Sequence, residues 1–264
     1  MNYEIQNQLG LKIAIQVDDV TEAKGLVFIM HGFKGFKEQR HIRLFAEAFV
    51  ENGFRVVSFD ASNSLGESDG RVEDATYSNY ASDLETVIEW ARHQEWFMQP
   101  FALCGHSMGA QTVSWFAEHH PGEVSLLAPM APPVNYDLHV HNELNAERAH
   151  ELKEQGYKVE KSFSKPGVDV KVSWSTTESM KEFDILPFAH KLTMPILDIV
   201  GELDQPCPVS SQNEFFAAIA SQDKTLVVMH GLDHNYRNTK TGEYDATFPN
   251  IKITIGQWLK KHQQ

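Results

Sequence analysis

The chain has 264 residues, 42% of them hydrophobic, with 36 acidic against 23 basic side chains and a formal net charge of −13. That size suits one domain, or one domain carrying an inserted cap, and the acidic balance disfavours nucleic acid and anionic membrane surfaces as partners. No apolar run is long enough to span a bilayer and the N-terminus lacks a basic stretch followed by an apolar one, so a cytoplasmic protein with two reduced cysteines, Cys104 and Cys207, is expected.

In chain order, "YEIQN" and "LKIAIQV" alternate in polarity around "QLG" and predict a β-hairpin. "GLVFIMHG" (25–32) is a continuous apolar run, as a strand buried on both faces requires. Helical spacing follows through Ile42, Phe45, Phe49 and Val50, and Gly53 stops it. "FRVVSFD" (54–60) is a strand, 61–70 a loop, 79–94 a helix, 100–106 a strand, 107–120 a helix and 123–133 a strand running into prolines. Residues 134–193 break this rhythm, with a helix expected at 145–156, a short strand or hairpin at 168–175 and a helix at 177–192. Alternation resumes with strands at 194–201 and 224–231 and helices at 210–220 and 248–262.

Buried strands alternating with amphipathic helices imply an α/β fold with a mostly parallel central sheet flanked by helices. Residues 1–133 and 194–264 would form the core domain. Residues 134–193 would be a cap inserted after the sixth strand, over the carboxyl edge where open sheets of this class bind ligands.

The chemistry centres on "GHSMG" (105–109), which fits G-x-S-x-G between a predicted strand and a predicted helix. Such a turn strains the serine backbone, and a side chain at 105 or 109 would crowd it. Ser107 is therefore the candidate nucleophile rather than a simple N-cap. A serine hydroxyl needs a base, and His234, in the loop after the last predicted strand, stands at the correct sheet edge; His230 is second choice. His106 should point away from its neighbour Ser107. The acid should follow the preceding strand, where Asp204 is favoured over Glu202, with Asp233 a more distant third. Backbone N–H groups of Met108 and Phe33, the latter in the glycine-flanked "HGFKG" (31–35), are the candidate oxyanion donors, each worth about 3 kcal/mol. No cofactor or metal is needed, and His119, His120, His139 and His141 read as solvated residues. The cap aromatics Tyr136, Tyr157, Phe163, Trp174, Phe183 and Phe188 could line a pocket or simply pack the cap.

With "HGFKG", "GHSMG", "GELD" and "GLDH" in this order, the chain resembles the α/β-hydrolase superfamily from about Gly25 to its end. It is most similar to bacterial cinnamoyl/feruloyl esterases and monoglyceride-lipase-like hydrolases. "SNSLGESDG" departs from that branch, with Ser62, Asn63 and Ser64 where a glycine is usual. The resemblance implies a Ser107–His234–Asp204 triad with Phe33 and Met108 as amide donors and does not by itself fix the substrate; passage under a modest cap points to small to medium, uncharged or partly aromatic small-molecule esters, of acyl or hydroxycinnamoyl type. A thioesterase, amidase or C–C hydrolase on the same machinery, or a non-catalytic ligand-binding protein of this fold, are the alternatives. The protein would be a monomer or homodimer.

Overall fold

A computed structural model of the chain describes residues 1–141 and 145–262; residues 142–144, inside the expected cap, and 263–264 lie outside the described residues. The elements in chain order are β1 (Asn2–Gln6), β2 (Lys12–Asp18), β3 (Gly25–Met30), α1 (Arg40–Glu51), β4 (Phe54–Phe59), α2 (Tyr77–Arg92), β5 (Phe101–His106), α3 (Met108–His119) and β6 (Val124–Met130). Then follow α4 (Tyr136–Val140), α5 (Ala146–Gln155), β7 (Tyr157–Lys161), β8 (Asp169–Ser173), α6 (Trp174–Ser179), β9 (Ile196–Gly201), α7 (Val209–Ala218), β10 (Lys224–Met229) and α8 (Pro249–Lys261).

Eight strands form one sheet in the order β1-β2-β4-β3-β5-β6-β9-β10. The first hairpin is antiparallel, with Tyr3 opposite Ile15 and Ile5 opposite Ile13, and β2 also meets β4 antiparallel. Every later pairing is parallel. The Asn7 side chain closes the hairpin by accepting from the amides of Leu9 and Leu11, and Gly10 takes φ +74°. Alternation along β5 shows how the sheet divides two cores. Phe101 and Leu103 face the layer of α2 and α3, where Tyr80, Leu84, Val113 and Phe116 are buried. Ala102 and Cys104 face the layer of α1 and α8, with Phe45, Phe49, Ile251 and Ile255. Both cysteines are free thiols and buried. No helix among the described residues is long and apolar enough to cross a membrane.

Between β6 and β9 the chain leaves the sheet. Among the described residues β7 and β8 pair only with each other, Tyr157 opposite Ser173, and Val170 and Val172 pack with Leu152 of α5 and Val72. The helix expected over 177–192 is broken instead: α6 ends at Ser179, and only short 3-10 turns follow at 180–182 and 189–191. Pro187 disfavours helical backbone at Leu186 and has no N–H to give, while the Asp184 carboxylate accepts from the Leu186 amide at 2.9 Å. Gln111 of α3 reaches into this segment, donating from one amide nitrogen to the carbonyls of Val134 (3.0 Å) and Phe183 (2.7 Å).

Glu118 on α3 is fully buried, and neither carboxylate oxygen has a hydrogen-bond partner among the described residues. Burial, reinforced by Asp184 and opposed by Lys191, pushes its pKa up to about 9 from an ordinary 4.5. Between these values the folded state holds a proton that the unfolded chain has released, so this group makes stability fall as pH rises. Buried Asp198, pushed up to about 8, acts in the same direction. Buried His31, His41, His106 and His139, all held below 6.5, act in the opposite direction, so the test is a difference: relative to wild type, Glu118→Gln should make the slope of the denaturant midpoint between pH 5 and pH 8 more positive by up to one proton's worth. An unchanged slope in the variant would show that Glu118 ionises normally.

Candidate functional site

Ser107 sits between the end of β5 and the start of α3 at φ +55°, ψ −122°, a strained conformation for any non-glycine residue. Its amide donates to the Met130 carbonyl (3.0 Å) and its carbonyl accepts from the Gln111 amide (3.0 Å), so the adjacent strand β6 and the following helix α3 hold the turn. The neighbouring glycines are steric necessities. A Cβ on Gly105 would lie 2.5 Å from the Gly109 carbonyl oxygen, and one on Gly109 would collide with the His31 and Met30 carbonyls. Gly32 is a third: its Cβ would lie 2.9 Å from Cβ of Ser107, so only glycine lets the 31–35 loop approach the serine.

Asp204 follows β9 and His234 follows β10, and the two meet at the carboxyl edge of the sheet. His234 Nδ1 and Asp204 Oδ2 are 2.7 Å apart, with the Asp204 side chain fully buried. The other carboxylate oxygen, Oδ1, accepts from the Cys207 amide at 2.7 Å. The rival acids lie elsewhere. Glu202 accepts from the Gly231 amide and pairs at 2.7 Å with His230, whose side chain is 93% exposed. Asp233 is taken by the Arg237 guanidinium at 3.1 and 2.8 Å and by the Asn235 amide.

The 31–35 loop is a tight turn, with the Gly35 amide on the Gly32 carbonyl (3.0 Å) and Lys34 at φ +57°. His31 props it from beneath. The Ala61 amide donates to His31 Nε2, so the proton is on Nδ1, which donates to the Gly32 carbonyl at 2.8 Å. Burial lowers the His31 pKa and keeps the ring neutral in that role. On the other side, the Ser164 hydroxyl donates to the Lys34 carbonyl (2.8 Å) and accepts from the Gln39 amide (2.9 Å). Among the described residues, neither the Phe33 nor the Met108 amide hydrogen is taken by a protein acceptor.

The departed loop has its own anchors. Asn63 carries φ +61°, which asparagine tolerates in place of glycine, and buried Asp83 accepts from the amide and hydroxyl of Ser62 at 2.6 Å each. Asp60 binds the buried Lys37 ammonium (2.8 Å) and the Lys37 and Glu67 amides (2.7 and 2.8 Å).

A cavity of about 890 Å³ opens over these groups, with Phe33, Ser107, Met108 and His234 in its wall. The site is thus assembled from the ends of β3, β5, β9 and β10. The serine hydroxyl is not bonded to His234 in this conformation; its side chain lies against the Cys207 thiol. Such bonds are commonly loose in unliganded sites and tighten around substrate.

Three neighbours take places at the site that their sequence context did not assign. Cys207 is 1% exposed, and burial, then Asp204 and Asp198, push its thiol well above the usual range, so it is a protonated neighbour. His106 does turn from Ser107's hydroxyl, but toward His234. Its Nε2–H donates to the His234 carbonyl at 2.9 Å, and the two rings lie 4.7 Å apart. Burial first, then His41 and His234, hold its pKa well below 6.5, so it holds that carbonyl as a neutral ring. His139, expected in solvent, instead faces the cavity with its pKa lowered to about 4 by burial. Of the six aromatics in 134–193, Phe163 alone lines the cavity, while Phe183 is buried against Tyr77 and Trp115.

Among the described residues, two donor clusters have metal-like proximity. In one, Asp204, Cys207 and His234 bring ligand atoms within 4.8 Å; in the other, Glu38, Asp60 and Glu67 do so. Neither donor set fits a resident cation. In the first, the carboxylate is engaged by His234 and the thiol is protonated, and in the second the Lys37 ammonium occupies the centre at 2.7, 2.8 and 2.6 Å.

Residues 21–240 match the family model described as serine aminopeptidase, S33. Among characterised relatives, the monoacylglycerol lipase of Mycolicibacterium smegmatis is 24% identical, covering 83% of this chain and 84% of its own. The mitochondrial palmitoyl-protein thioesterase ABHD10 of Bos taurus is 21% identical over 82% of this chain and 68% of its own. Among solved structures, Est1E of Butyrivibrio proteoclasticus with bound ferulic acid superposes with a TM-score of 0.77 at 21% identity, covering 98% of each chain.

Proposed function

The chain belongs to the serine aminopeptidase S33 family and has the α/β-hydrolase fold, and on that premise we propose that it hydrolyses carboxylic esters through Ser107, His234 and Asp204. The observation that carries this reading is the 2.7 Å His234–Asp204 contact in the cavity wall that also holds the strained Ser107. Ser107 Oγ attacks the ester carbonyl while His234 takes its proton. Asp204, hydrogen-bonded to Nδ1, keeps the accepting nitrogen at Nε2 and stabilises the imidazolium that forms. The developing oxyanion is received by the Phe33 and Met108 amides. Collapse expels the alcohol with the proton from His234, and a water molecule activated by the same imidazole releases the acid from Ser107. Every step uses side chains and amides of the chain itself.

Residues 134–193 act as a cap over a body of residues 1–133 and 194–264, and set which esters enter. The monoacylglycerol lipase relative and the ferulate-bound structural neighbour support small to medium acyl or hydroxycinnamoyl esters. The thioesterase relative makes thioesters the second class to assay. Incubation with a serine-reactive fluorophosphonate should add one covalent label, found by mass spectrometry on the peptide containing Ser107. Nitrophenyl and hydroxycinnamoyl esters should then be turned over faster than matched amides. A label elsewhere, or none, would overturn the reading.

A further inference from the structure

One wall of the cavity carries charge that neither the triad nor the oxyanion site uses. Lys34 Nζ lies 2.8 Å from Glu160 Oε2, and Arg148 Nε and Nη2 lie 2.9 and 2.8 Å from Glu160 Oε1. Two cations thus share one carboxylate. Burial of Glu160 opposes its ionisation, yet Lys34 and Arg148 hold its carboxyl below the usual range, so the cluster carries a net +1. Lys161, next on β7, also lines the cavity and has no carboxylate within 4.0 Å among the described residues. Arg237 is balanced by Asp233. The described wall therefore holds four cations and two carboxylates, in a chain whose net charge is −13.

A concave, half-enclosed site focuses such an excess, and ionic hydrogen bonds inside it are worth more than on open surface. An uncharged ester would leave this net excess of positive charge without a counterpart in the cavity. Lys34 follows Phe33, so the cluster begins one residue from a proposed oxyanion donor and shares its cavity with Ser107.

We propose that the preferred esters carry a second, anionic group, a carboxylate, which binds at Lys34 and Arg148. The inference rests on the ester-hydrolase reading above and deepens it. Glu160 is the positioning residue: it holds Lys34 and Arg148 side by side and leaves their remaining N–H donors for the substrate.

The test compares esters matched in length, the 4-nitrophenyl monoester of adipate against 4-nitrophenyl hexanoate, and 4-carboxyphenyl acetate against phenyl acetate. The readout is the anionic-to-neutral ratio of kcat/KM at low salt. At least one ratio should exceed roughly ten and fall as salt rises. Arg148→Gln should lower that ratio roughly tenfold, and Glu160→Gln, which leaves the cluster with a net +2, should raise it. A contact that merely pinned 134–193 to the body would move both members of a pair together and leave the ratio unchanged. Ratios near one, or variants that do not move them in these opposite directions, overturn the inference while leaving ester hydrolysis intact. A readout independent of turnover is calorimetric binding of monomethyl adipate and methyl hexanoate to the Ser107→Ala protein. Tighter binding of the anion supports the site even if no chromogenic ester is cleaved, and equal binding overturns it.

Discussion

Ser107→Ala should lower kcat for ester hydrolysis by a factor on the order of 10⁵ or more, with the fold intact. Removing the hydroxyl removes the acyl-enzyme route, and what remains is the modest help of oxyanion donors and binding alone. The fold survives because alanine keeps the Cβ and the backbone bonds to Met130 and Gln111, which involve no serine side-chain atom. The strain at φ +55° is common to both residues. Single-turnover assays with a chromogenic ester, alongside thermal melts, measure both halves of this expectation. Activity within tenfold of wild type, at an unchanged melting temperature, would remove Ser107 from the mechanism.

Asp204→Asn should lower kcat by about 10⁴, and the hydrogen bonds around it explain why an isosteric change is so harmful. The Cys207 amide donates to Oδ1, so the carbonyl oxygen of an asparagine must occupy that position. Its NH₂ then faces His234 Nδ1, where Oδ2 stood at 2.7 Å. A donor there makes Nδ1 an acceptor and moves the imidazole proton to Nε2, the nitrogen that must receive the serine proton. KM should change little, since Asp204 is buried behind His234. Glu202→Gln, two residues away, is the control. Its contacts are the Gly231 amide and the exposed His230, and kcat should stay within a few-fold. Equal losses in the two variants would mean that the loop fold, rather than the acid, accounts for the effect.

The fold was legible in the chain because each signal is local. A strand buried on both faces has to be apolar throughout, as Leu26–Met30 is, and an amphipathic helix has to place its apolar residues three and four apart, as Ile42, Phe45 and Phe49 are. The elbow is legible for the same reason. Ser107 can adopt its backbone only with glycine at 105 and 109, so the steric requirement is written within five residues. Helix 177–192 failed as one element: α6 ends at Ser179, and Pro187 further on disfavours helical backbone at Leu186. His139 failed because burial of a short polar segment depends on what folds over it.

The sequence by itself determined the α/β-hydrolase architecture and the candidate residues Ser107, Asp204, His234, Phe33 and Met108, since loops at successive strand ends of a parallel sheet converge on one edge. The tertiary structure alone decided that Glu202 pairs with the exposed His230, that His106 holds the His234 carbonyl, and that Cys207 lies beside the serine. It alone brought Lys34, Arg148 and Glu160 together across separations of 114 and 126 residues (148 − 34 and 160 − 34). Contacts between loops and an inserted segment follow no short-range periodicity. They depend on where the packed sheet and the cap place side chains that are far apart in the chain, and that placement is what gives the cavity its charge.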